Sequence, residues 1–283
     1  MRWSLTAASL AALSTGVDAI SAGAMEVNLL FPRDNETYAP NANMPVIFSI
    51  RNAAYGQYLE PFINALLYNT TVVPDDSITA GMYVVQPNLD FVNWAAVPEP
   101  YFAYSFNTAF RYEANWTLSW RLGVTSCKAD GDGVQRGHTV RYVSDTVSIN
   151  ITTKRGAKMP DLVAATAGGK ACNSTGAIIA VTDKAFNVTE PPPAAPTCAV
   201  LDLEATPTID PCKATIDAAA AASITAAQRE YQCNGNDAPA DCPPRPSPTY
   251  TRNSAAAQRP AGAGTACFVA GALGAVFAGL LWA

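Results

Sequence analysis

The sequence predicts a mainly β protein, an antiparallel Ig-like or fibronectin-like β-sandwich followed by a C-terminal, cysteine-bracketed, Ala-rich helix. Three observations carry this. Between Glu26 and Thr153, short runs rich in β-branched and aromatic residues are separated by clusters of Pro, Asn, Asp and Gly. Within that region Asn115–Leu122 alternates strictly, with Trp116, Leu118, Trp120 and Leu122 on one face and Asn115, Thr117, Ser119 and Arg121 on the other. No helical period intervenes before Pro196, and many short strands at even spacing point to a sandwich.

The chain opens with a one-charge segment at Arg2, an apolar Leu5–Val17 run and small residues after it. That order reads as a secretory signal peptide cleaved after Ala19, or after Ala24, so residues 1–19 are assigned to it. Residues 20–156 form the expected sandwich domain. Its strands are Val27–Phe31, Val46–Ile50, Ile63–Tyr68, Met82–Val85, the Asn115–Leu122 run and Val140–Ile151. Residues 157–196 read as a connector, with Gly168-Gly169 and Pro191-Pro192-Pro193, and room for a short strand at Ala177–Thr182.

Residues 197–244 form the helical segment. Asp210 and Pro211 supply an N-cap and first position, and Lys213–Tyr231 is free of Gly and Pro. Ile216, Ala220, Ile224, Ala227 and Tyr231 form its apolar stripe, and Asn234-Gly235 ends it. Residues 245–253 are a Pro/Ser/Thr stalk. Beyond it, Ala266–Ala283 carries no charge and is shorter than the ~20 apolar residues of a membrane span. Small residues at Asn253-Ser254-Ala255, a polar spacer and this tail predict a GPI attachment at Asn253, with 254–283 removed.

Of seven cysteines, Cys267 lies in that tail. Cys127, Cys172, Cys198, Cys212, Cys233 and Cys242 make an even set in a chain routed for secretion, which predicts disulfides. A continuous helix would hold Cys212 and Cys233 ~30 Å apart, beyond bridging reach. This favours the local pairs Cys198–Cys212 and Cys233–Cys242, with Cys127–Cys172 tying the connector to the sandwich. Six sequons, at Asn35, Asn69, Asn115, Asn150, Asn173 and Asn187, predict a glycoprotein. Asn115 and Asn150 fall in strand-like runs, so each must face solvent to be modified.

The mildly acidic charge of −5, without a basic run, argues against nucleic acid as a partner. His138 is the only histidine, so a Ser-His-Asp triad would have to use it, and with no CxxC a zinc site is not expected. Asp130 and Asp132 resemble part of a calcium loop, but the closing Glu is missing. Glu99, Glu113, Asp130 and Asp132 are the loop carboxylates a wall-modifying hydrolase or transferase would draw on. Trp94, Tyr101, Phe102, Tyr104, Phe106, Phe110 and Tyr112 lie close together in sequence. Exposed, with Trp94, Tyr101 and Tyr104 foremost, they would stack on sugar rings; packed, they are core.

Phe31-Pro-Arg-Asp-Asn-Glu-Thr-Tyr-Ala-Pro with the Pro45-Val-Ile-Phe-Ser-Ile-Arg-Asn strand, then Trp116-Thr-Leu-Ser-Trp120 and Cys127, resembles a family of secreted, GPI-anchored fungal proteins. That family is built on an uncharacterised domain of unknown function, family 7136 of its series. The resemblance covers roughly Val27–Cys242 and implies a fungal cell-surface β-sandwich without an assigned activity. The expectation from the sequence is therefore a glycosylated, GPI-anchored protein of the plasma membrane or cell wall. Its role would be structural or adhesive, with no catalysis, cofactor or metal. The alternatives are a carbohydrate-binding module for wall polysaccharide and, after it, a wall-modifying glycoside hydrolase or transferase.

Overall fold

A computed structural model of the chain describes residues 17–71, 81–127, 139–173, 175–187, 197–235 and 238–243. These residues lie in the unit that ends at Pro243. The strands are β1 (Val17–Ala19), β2 (Gly23–Phe31), β3 (Glu36–Tyr38), β4 (Met44–Arg51), β5 (Phe62–Asn69), β6 (Met82–Val84), β7 (Tyr101–Asn107), β8 (Ala114–Cys127), β9 (Thr139–Val143), β10 (Val147–Thr153), β11 (Thr175–Asn187) and β12 (Thr197–Leu201). The helices are α1 (Gly56–Leu59), α2 (Leu162–Thr166) and α3 (Ala218–Asn234).

The strands form two ladders. One runs β12-β11-β2-β4-β7, with β1 also on β11. The other runs β3-β10-β8-β5-β6, with β9 also on β8. The ladders join where Val200 of β12 bridges Cys127 of β8. That bridge and the β10–β3 pairing are parallel, so the sheet is mixed where the sequence suggested a purely antiparallel one. Both parallel pairings join strands far apart in sequence, β3 to β10 and β12 to β8.

Alternation decides which face is buried. On β8, Trp116, Leu118, Trp120 and Leu122 point inward and are at most 1% exposed. Phe48 of β4 meets Trp120 edge to face at 5.1 Å, so the inner faces of both ladders share one core. β2 and β4 are buried on both faces over almost their whole length. Their second face is covered by the chain that follows β10. Ala165 of α2, then Ala214, Ile216 and Ile224, all join the main core.

That cover is tied down by a buried polar knot. The Glu26 carboxylate accepts from Asn28 Nδ2 at 2.6 Å, from Arg51 Nη1 at 3.1 Å and from the Asp210 backbone N–H at 3.1 Å. Arg51 also donates to the Asp210 carbonyl at 3.0 Å. The Ile216 N–H donates to the buried Thr166 hydroxyl at 2.9 Å. A charge as buried as Glu26 is tolerable only with partners on this scale.

Three further sequence expectations differ from what is found. The supposed connector 157–196 supplies β11, which pairs with β2 from Thr175↔Leu29 to Val181↔Gly23 and belongs to the first ladder. The helix starts at Ala218, capped by Asp217, whose carboxylate accepts from the Ala220 N–H at 2.7 Å; Asp210–Pro211 instead begins a single 3-10 turn at Pro211–Lys213. Of its expected stripe, Ile224 is buried and Ala220 packs against the core, Ile216 is buried but precedes the helix, and Tyr231 is exposed.

The disulfide pairing is the third of these differences. Cys233–Cys242 forms as expected, with Cα atoms 5.4 Å apart. Cys127 bonds Cys198 across 71 residues, with Cα atoms 5.4 Å apart, which removes both Cys198–Cys212 and Cys127–Cys172. The cause is the parallel join of β12 to β8, which sets these two cysteines side by side. Cys212 is also disulfide-bonded, and its turn packs beside the turn Lys170–Asn173.

Candidate functional site

A concavity of about 640 Å³ with aromatic lining lies around α1 and the start of β5. Helix α1 is one turn long and ends at Glu60, whose backbone is left-handed at φ 41°. A non-glycine residue there is strained, and the strain turns the chain into Pro61-Phe62. The Trp94 ring lies against Gly56, where a Cβ would collide with the indole. The Phe62 ring likewise lies against Gly123, and the Arg141 guanidinium stands over the same ring at 4.5 Å from its centroid. Phe91 stands at the mouth, 94% exposed. Gln57, Glu60, Asp90, Asn93 and Thr125 give the rim its polar groups.

The aromatics singled out in sequence do not share one exposed plane. Trp94 is 8% exposed and meets Tyr101 edge to face at 5.5 Å. Burial, then the neighbouring Tyr104, raises the Tyr101 phenol above its ordinary pKa. Tyr104 and Phe106 lean together at 5.5 Å, and Phe106 continues to Tyr231 of α3 at 5.5 Å. Phe110 is fully buried against Trp116, while Tyr112 is exposed. Trp94 alone of this set lines the groove; Phe62 and Phe91 were not singled out. Phe91 sits in Leu89-Asp90-Phe91-Val92-Asn93, an aromatic in a stretch without strand alternation, and that was the available signal.

The loop carboxylates have backbone to hold. Glu99 accepts from the Asn52 and Ala53 N–H groups at 2.8 and 3.1 Å, fixing the turn that enters α1. Glu113 accepts from the Arg155 N–H at 2.6 Å. Asp130, Asp132 and His138 lie outside the described residues. Among the described residues there is no group of three His, Cys, Asp or Glu side chains that could hold a metal ion.

A second concavity, of about 360 Å³, is charged. It is lined by Arg33, Asp34, Glu36, Tyr38, Lys158, Asp161 and Lys170. Its charges are engaged with each other and with backbone. Lys158 Nζ lies 2.6 Å from Glu36, Arg33 donates to the Lys170 carbonyl at 2.6 Å, and Asp161 caps α2. Burial pushes the Tyr38 phenol up to about 12 and lowers the Arg33 guanidinium.

The sequons divide by what surrounds them. Asn35, Asn115 and Asn150 are exposed. Asn69 is half-buried at the end of β5, its side-chain oxygen accepting from the Thr71 N–H at 2.9 Å. The side chains of Asn173, Asn187 and Cys172 lie outside the described residues, as do Asn253, the stalk and the apolar tail. Among the described residues no helix is long and apolar enough to cross a membrane. The disulfides suit an oxidising, extracellular compartment.

No curated protein matches the sequence. A family model described as a domain of unknown function, DUF7136, matches residues 20–242, and the chain belongs to that family.

Proposed function

We propose that this chain is a secreted fungal glycoprotein of the cell surface, with a structural or adhesive role and no catalysis. A signal peptide leaves after Ala19, a Pro/Ser/Thr stalk at 245–253 carries the folded body, and a GPI lipid at Asn253 replaces 254–283. The body is read as an Ig-like or fibronectin-like sandwich. The observation that carries this is the covalent and polar locking of a β-rich body whose loop acids Glu99 and Glu113 hold backbone rather than line a cleft. Cleavage after Ala19 removes β1, which pairs with β11, and leaves β2 whole, whereas cleavage after Ala24 also shortens β2. The later cut would remove Gly23 and Ala24, which pair with Val181 and Ala180, and the Ala24 carbonyl that accepts from Asn52. Phosphatidylinositol-specific phospholipase is expected to release the protein from membranes, and its N-terminus is expected to read Ile20. A mature mass that still includes 266–283 overturns the anchor.

One observation favours a second reading, the carbohydrate-binding module. Phe91 is 94% exposed beside Trp94 at a groove with an amide and carboxylate rim. Exposed aromatic faces stack on sugars. If the groove holds wall glucan or chitin, Phe91→Ala weakens retention on the insoluble polysaccharide about tenfold, equivalent to ~1.4 kcal/mol. Phe91 is the clean probe because Trp94 and Tyr101 also pack the fold. Equal retention of wild type and Phe91→Ala removes this reading.

A further inference from the structure

We propose that Asn35, Asn115 and Asn150 carry one cluster of N-linked glycans that covers the outer face and free edge of the β3-β10-β8 ladder. The proposal rests on the secretory reading above and adds where the sugars stand and what they hide.

The argument is one of register. Asn150 of β10 lies directly opposite Thr117 of β8, and Thr152 lies opposite Asn115. The sequons Asn115-Trp116-Thr117 and Asn150-Ile151-Thr152 are thus paired head to tail, each asparagine facing the other sequon's threonine. Thr37 lies beside Thr152 in the parallel pairing of β3 with β10, and the Asn35 N–H donates to the Asn150 carbonyl at 2.7 Å. Two sequons therefore occupy the same two rows of β8 and β10, and the third adjoins them, with Thr37 on β3 and Asn35 one residue before that strand. Asn115 and Asn150 are diagonal neighbours, ~7–8 Å apart.

The hydrogen bonds leave the modifiable atom free. Thr117 Oγ1 donates to Asn150 Oδ1 at 3.0 Å, and Thr152 Oγ1 donates to Asn115 Oδ1 at 3.1 Å. Both amides are held by their oxygens, which turns each Nδ2 toward solvent. Glycan transfer uses that nitrogen. The Nδ2–C1 bond forms, the C1–O bond to a lipid-linked oligosaccharide pyrophosphate breaks, and the amide gives up one proton. The donor belongs to the secretory pathway and acts on extended chain before β8 and β10 pair. The fold that follows accepts both sugars without losing either hydrogen bond. At Asn35 the amide donates to Asp34 at 2.9 Å through one of its two hydrogens, leaving the other to be replaced.

The position gives the cluster a task. β3 is an edge strand, and exposed edges invite pairing with other chains. Sugars rooted there screen that edge and the polar face beside it, leaving the opposite end of the body, with the Phe91 groove, for partners.

The test uses the full chain secreted from a eukaryotic host. Peptides released by N-glycosidase in heavy-oxygen water should carry the label at Asn35, Asn115 and Asn150, and intact mass should place all three glycans on one molecule. In the N35Q/N115Q/N150Q variant, a bulky amine-acylating reagent should modify Lys154 and Lys158, beside this edge, several-fold faster than in wild type. Labelling at Asn173, Asn187 or Asn69 with Asn115 and Asn150 unmodified overturns the cluster and leaves the secretory reading standing. Absence of label at every sequon of the secreted chain overturns the cluster, whereas a chain that is retained inside the host and carries no label overturns the secretory reading. Equal acylation rates overturn the screening.

Discussion

Replacing Cys127 and Cys198 together by alanine is expected to lower the stability of the folded body by about 4 kcal/mol, read from urea unfolding under non-reducing conditions. The bridge spans 71 residues, and the entropy it removes from the unfolded chain grows with the loop. The same replacement at Cys233 and Cys242, separated by 9 residues, should cost about 2.5 kcal/mol. The order of the two losses is the sharper outcome. Cys127–Cys198 also sits at the bridge between Val200 and Cys127 that joins the two ladders. Its sulfurs lie in a small buried cluster with Val200, against which Phe186 packs. Alanine keeps that cluster apolar, so the loss measures the crosslink rather than a new buried polar group. A larger loss at Cys233–Cys242 would contradict the account of the join.

What could be read ahead of the structure depended on whether local pattern carried the information. β8 was legible because its inner face is Trp and Leu and its outer face Asn, Thr, Ser and Arg. β2 and β4 were found as strands, but their near-continuous apolar runs conceal that both faces are covered. β11 was mostly missed because its core, Gly176-Ala-Ile-Ile-Ala, is small and the chain around it is rich in Gly, Pro and sequons. The disulfides were misassigned at Cys127 and Cys198 because spacing along the chain was weighed, and a parallel strand returning from far away does not appear in spacing. At the candidate site, the aromatic cluster was visible but its fate was not. Trp94 settles against Gly56, Phe110 against Trp116, and Phe106 against Tyr231, three contacts made by different elements. Likewise the individual sequons were plain, and their common register emerges only once β3, β10 and β8 are side by side.

Trp116→Ala is expected to cost about 3–5 kcal/mol, the range for emptying a large aromatic site in a close-packed core. Trp116 is 1% exposed, meets Phe110 at 5.6 Å and Tyr83 at 6.0 Å, and donates from Nε1 to Thr153 Oγ1 at 2.8 Å. That hydroxyl is a node. It also accepts from the Ala114 N–H at 3.2 Å and donates to the Tyr112 carbonyl at 2.6 Å, joining the start of β8 to the end of β10. Trp120 is equally buried, yet its Nε1 has no hydrogen-bond partner among the described residues. Phenylalanine separates packing from hydrogen bonding at the two sites. Trp116→Phe loses ring volume and a bond into the node, whereas Trp120→Phe loses ring volume and relieves an unpaired buried donor. Trp116→Phe should therefore be the more destabilising by about 1–2 kcal/mol, measured as the difference in unfolding free energy. Trp116 is also the middle residue of the Asn115 sequon, and neither Ala nor Phe there removes the acceptor motif. A drop in secreted yield for Trp116→Ala with Asn115 still modified would thus trace to the core. Equal losses for the two phenylalanine variants would show that the Thr153 node does not stabilise the β8–β10 junction.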